Sequence, residues 1–121
     1  MYMQDKIDKW VRQLNERAVI SSDIIALNFG LFETADGYCV YLSGSKQYDE
    51  NDDDWACNAD YESDYLLISN EECHEVDWKS FLNETTTIVI HALNNISSND
   101  SIFSNRVITI GFDDGNLNRI R

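Results

Sequence analysis

The chain has 121 residues, one domain's worth, and 43% of them are hydrophobic, enough for one core and too many for wholesale disorder. Acidic residues number 22 against 9 basic ones, a net charge of −13. Such a charge repels phosphate backbones and anionic lipid surfaces, so neither nucleic acid nor a membrane is expected as a partner, whereas a basic protein would be attracted.

No run of about 18 apolar residues is present, so no membrane span is expected. The opening Met1-Tyr2-Met3-Gln4-Asp5-Lys6 lacks a basic stretch followed by an apolar one. No secretory signal is therefore expected, and the expected compartment is the cytoplasm. Cys39, Cys57 and Cys73 are an odd number at wide spacing and read as buried free thiols rather than a disulfide framework. Asn83-Glu84-Thr85, Asn95-Ile96-Ser97 and Asn99-Asp100-Ser101 match the glycosylation sequon, but without a secretory route these are chance matches.

Residues 3–17 read as a helix, since Met3, Ile7, Trp10, Val11 and Leu14 recur at helical spacing. Residues 24–33 read as a strand with Ile25, Leu27, Phe29 and Leu31 on one face. Asp36-Gly37 then predicts a hairpin turn into a second strand over residues 38–43. Tyr65 to Ile68 reads as a third strand. Residues 77–95 read as a second helix capped by Asp77, with Trp78, Phe81, Leu82, Thr85, Ile88, Val89 and Ala92 on its stripe. The β-branched run 85–90 works against that helix, and its spacing works for it. His91 lies just off the stripe and reads as structural. Residues 95–105 read as a loop, 106–112 as a strand, 113–116 as a turn, with Leu117 and Ile120 on a short returning strand. The expected architecture is a single α+β domain spanning residues 1–121, with a mainly antiparallel sheet of four to five strands packed with two helices.

Chemistry-bearing motifs are few. His74 and His91 are the only histidines, and no nucleophile elbow is present. Carboxylates in a polar loop have no burial to raise their pKa for acid catalysis. Asp49, Asn51, Asp53 and Asp60 stand at four ligand positions of a calcium-loop template, but Asp54 replaces the glycine of its sharp turn and Asp60 its bidentate glutamate. That excludes an EF-hand and leaves a looser calcium-binding interaction module as an alternative. Cys57, Cys73 and His74 lack zinc-site spacing, and no glycine-rich phosphate loop exists. No enzyme activity, metal or cofactor is expected.

The charge is concentrated. Residues 49–77 hold 12 of the acids and no Lys or Arg, leaving 10 acids against 9 bases elsewhere. Large aromatics interleave them. A solvated loop with its rings turned inward is the plainer reading. The sharper one is a binding face of Tyr48, Asp49, Asp52, Asp53, Asp54, Trp55, Asp60, Tyr61, Glu62 and Asp64, in which carboxylates steer a cationic partner and rings anchor it.

Residues 41–58, Tyr-Leu-Ser-Gly-Ser-Lys-Gln-Tyr-Asp-Glu-Asn-Asp-Asp-Asp-Trp-Ala-Cys-Asn, and 111–117, Gly-Phe-Asp-Asp-Gly-Asn-Leu, resemble small acidic immunity proteins of bacterial contact-dependent inhibition and polymorphic-toxin loci. The resemblance implies a cytoplasmic protein that binds the C-terminal domain of a cognate toxin, often a basic nuclease, and blocks it. A general mimic of nucleic acid that inhibits many basic nucleases is the alternative of the same charge logic.

Overall fold

In a computed structural model that describes residues 2–96 and 101–121, the first element is α1, Met3–Arg17. Its i, i+4, i+8 positions Met3, Ile7 and Val11 are buried, as the spacing predicts. Asp5 in the first turn and Arg17 in the last complement the helix dipole.

Strands β1, Ala26–Thr34, and β2, Gly37–Ser45, form an antiparallel hairpin whose register runs from Ala26 opposite Ser45 to Thr34 opposite Gly37. The connecting residues are therefore Ala35 and Asp36. Gly37 belongs to the strand and not to the turn in which the sequence reading placed it. It is glycine because its φ is +146° and because a Cβ there would lie 2.0 Å from the carbonyl oxygen of Ile68.

Two further strands lie along the outer edge of β2: β3, Tyr61–Glu62, and β4, Leu66–Ser69. Ser43 faces Glu62 and Val40 faces Leu66, so three steps on β2 oppose four on its neighbour. That extra residue is a bulge. Ser63 sits in it, accepting from the Leu42 amide through Oγ at 2.8 Å while its own amide donates to Leu42 O at 2.8 Å. β4 matches the expected third strand within a residue, whereas β3, on the other side of the bulge, lies in the stretch read as a polar loop.

Helix α2, Trp78–Asn95, starts where Asp77 accepts a 2.8 Å hydrogen bond from the Ser80 amide. It forms through its β-branched run because Phe81, Thr85, Val89, Ala92 and Leu93 are buried, and tertiary packing outweighs propensity. Trp78 departs from the predicted stripe. It is 56% exposed and meets Phe112 in a T-shaped pair at a ring distance of 6.0 Å. The predicted loop 95–105 lies partly outside the described residues, as do parts of two sequons, and its last residues form a turn.

The last strands are β5, Val107–Phe112, and β6, Asn118–Arg119. The sheet order is β3-β2-β1-β5-β6, with β4 also on β2. It is mainly antiparallel, and the domain is α+β. The exception is β5, which runs parallel to β1, from Ala26 beside Val107 to Leu31 beside Phe112. The sheet has six strands rather than four to five, because Tyr61–Glu62 in the polar stretch also pairs with β2.

Strand alternation separates two faces. One holds Leu27, Phe29, Leu31, Tyr38, Val40, Leu42, Ile68, Ile108 and Ile110, and both helices cover it. Tyr38 stacks on Phe81 at 4.1 Å, and Trp10 of α1 meets Phe29 edge-on at 6.0 Å. Ile24 is buried beside this core, whereas Ile25, read as a core position, is exposed. No helix among the described residues is long and apolar enough to cross a membrane.

Candidate functional site

The other face of the sheet is covered by neither α1 nor α2, and its middle carries the polar side chains of Asn28, Ser43 and Thr109. Asn28 and Thr109 are buried side by side, and the Thr109 hydroxyl donates to Asn28 Oδ1 at 2.8 Å. Tyr41 lies flat across Gly30, where a Cβ would stand only 2.2 Å from the ring. Its hydroxyl donates to Asp113 in the turn after β5.

Residues 46–60 fold over part of this face. Asp52 caps a short 3-10 helix, Asp53–Cys57, by accepting from the Asp54 amide at 3.0 Å. Asp53 Oδ2 accepts from the Leu117 amide at 3.1 Å, tying the segment to the far end of the sheet. Arg119 of β6 places its guanidinium 5.8 Å from the centre of the Tyr48 ring, a cation–π contact.

Between that segment and the sheet lies a cleft of about 590 Å³. Its floor includes Asn28, Tyr41 and Ser43, and its wall includes Ala56, Cys57, Phe112 and Leu117. Five carboxylates line it, Asp53, Asp54, Glu62, Asp113 and Asp114, and no Lys or Arg does. They come from three separate parts of the chain. Next to the cleft, Phe32, Tyr41 and Tyr65 form a cluster with ring distances of 5.2 to 6.1 Å. Tyr65 is 58% exposed and donates to Glu62 at 2.9 Å.

Burial first, then the hydrogen bond to Asp113, pushes the Tyr41 hydroxyl far above its ordinary pKa of 10.0. Tyr41 is thus a fixed donor at any physiological pH. The bond to Glu62 raises Tyr65, and burial with the nearby charge of Asp64 raises Tyr61.

The ten residues singled out by sequence separate in space. Asp53, Asp54 and Glu62 reach the cleft. Asp49, Asp52 and Asp60 are not among its lining. They accept from the amides of Asn51, Asp54 and Lys46 at 2.9, 3.0 and 3.0 Å, so their carboxylates shape the loop. Trp55 is only 5% exposed and is no anchor for a partner as it stands. Its ring packs inward, with Tyr48 edge-on at 5.3 Å. Tyr61 packs against the helix-covered core and, with Asp64, lines a different hollow beside Trp10 and Arg17 of α1. The acids at positions 71–77 of the charged segment are outside the cleft too. Glu72 pairs with Lys6 at 3.0 Å, and Asp77 caps α2.

Sequence reasoning missed Asp113, Asp114, Tyr41 and Tyr65. The pair 113–114 read as a turn, and only the parallel placement of β5 brings it beside the acidic segment. Among the described residues, no three of His, Cys, Asp and Glu form a group that could hold a metal ion. Cys39 and Cys73 are buried free thiols, but Cys57, expected to be buried, is exposed at the end of the 3-10 helix. His91 is exposed, with Nε2 3.2 Å from Asn95 Nδ2. His74 is exposed while its neighbour Cys73 is buried, so the two point apart. Compared with models of known families, with curated proteins and with solved structures, the chain matches none of them.

Proposed function

We propose that the chain is a non-catalytic, cytoplasmic antidote that binds and neutralises a basic toxin domain through the acidic cleft. The observation that carries this reading is the meeting of Asp53, Asp54, Glu62, Asp113 and Asp114 around one hollow with no cation among its lining. Gathering like charges costs the free protein stability, and a partner rich in Lys and Arg offsets that cost. Long-range attraction speeds the encounter, while buried contacts set the lifetime of the complex. The exposed ring of Tyr65 supplies a contact of that second kind.

The test uses Asp54 and Asp114, whose carboxylates accept no hydrogen bond among the described residues, so reversing them leaves the fold's bonds intact. The doubly reversed variant, Asp54→Lys with Asp114→Lys, is compared with the unaltered chain in stopped-flow binding to the C-terminal domain of the protein encoded directly upstream. A fall of about tenfold or more in association rate, with a weaker salt dependence, supports the reading. An unchanged rate removes the cleft from the interface. Equal binding to a panel of unrelated basic nucleases would instead favour nucleic-acid mimicry.

A further inference from the structure

A second hollow of about 450 Å³ adjoins the acidic cleft, and the two share Phe112, Asp113, Asp114 and Gly115 as a common wall. Phe32 and Phe112 lie in it, and Trp78, in the first turn of α2, stands at its side. Glu33, Asp113 and Asp114 surround it, again with no Lys or Arg among the lining. Trp78 is more than half exposed, although tryptophan carries the largest apolar surface of any side chain.

We propose that this hollow anchors the same basic toxin domain, taking one of its apolar side chains against Trp78 while flanking Lys or Arg groups meet Glu33 and Asp114. The inference rests on the functional reading above and names where its binding energy resides. Three observations select the occupant. The groove shares a wall with the acidic cleft. Its rim admits a cationic segment and repels an acidic one. A second copy of this chain, itself at −13, would bring like charge to like charge. An aromatic anchor beside a pocket whose rim shields it from water is the usual build of a binding hot spot. The rings of Tyr48 and Trp55, which the acidic segment offered in sequence, are occupied by each other and by Arg119.

Calorimetry with the C-terminal domain encoded upstream, on the unaltered chain and on Trp78→Ala, decides it. The expected loss of affinity is about 30-fold, the size of a hot-spot tryptophan. A second reading does not depend on the variant's folding. The unaltered chain is labelled with 5-fluorotryptophan, and the ¹⁹F resonance of Trp78 is assigned by its absence from Trp78→Phe. That resonance should shift on binding while that of buried Trp55 stays. If the domain binds but affinity and resonance are both unmoved, the groove is not the anchor and the acidic cleft stands alone. If the domain does not bind the unaltered chain, both proposals fall together.

Discussion

Tyr41 reaches over Gly30 to donate its hydroxyl to Asp113, joining the middle of β2 to the turn after β5 across the central strand. The contact spans 72 positions of sequence, and it holds one wall of the acidic cleft in place. Tyr41→Phe keeps the ring and removes the bond. Urea unfolding should show a loss of about 1 kcal/mol, the usual worth of one hydrogen bond on a part-exposed site. Gly30→Ala should cost more, because the new Cβ displaces the ring as well as its hydroxyl.

Stability should fall in alkali. Tyr38 and Tyr61 are raised chiefly by burial, and Tyr41 by burial and its bond to Asp113. A folded-state pKa above the unfolded 10 favours the protonated, folded form. The contribution is complete below pH 10 and is lost as the pH climbs through the folded values. Melting temperatures between pH 8 and 12 should hold steady and then drop, and the drop should be shallower in Tyr41→Phe. Absorbance at 295 nm should show fewer than the six tyrosines ionising before unfolding begins.

On the acid side the relevant group is Glu72. The Ser69 amide, at 3.0 Å, is the chief reason its pKa lies below the ordinary 4.5, and Lys6 adds to it. A lowered folded-state pKa gives stability that is present above 4.5 and disappears as the pH falls through the folded value. Glu72→Gln should therefore be less stable than the unaltered chain at pH 7, with the difference closing below about pH 4.

At Gly37 both backbone conformation and space forbid a side chain. Gly37→Ala should destabilise the domain by at least about 2 kcal/mol, because the nearest obstacle is the Ile68 carbonyl, which can yield only if β4 leaves β2. Thermal melts monitored by circular dichroism would check this.

Both helices were legible in sequence, because the 3.6-residue spacing of Met3, Ile7 and Val11, and of Phe81, Thr85 and Val89, is local information. So was the Asp77 cap. The pairing of β1 with β5 was not, since nothing near Phe29 says that Ile110 will lie beside it. The bulge at Ser63 was hidden because it is a mismatch between two strands and belongs to neither alone. The site was half legible for the same reason. Asp53, Asp54 and Glu62 sit within one charged segment, but Asp113 joins them only through the sheet. Trp78 was read as inward and stands outward, and of the two readings offered for Trp55 the fold adopts the inward one. An indole is large and amphipathic, and flanking residues alone do not decide which way it turns.

The central strand acquires its second neighbour very late. Until Val107–Phe112 has left the ribosome, residues 26–31 have β2 on one side only, and their other backbone edge is open. The loop to be closed spans most of the chain, which makes this step slow relative to the hairpin. The nascent protein therefore waits, with a sticky strand uncapped, until β5 has been made. Its many negative charges would keep such half-made chains from clumping during that delay.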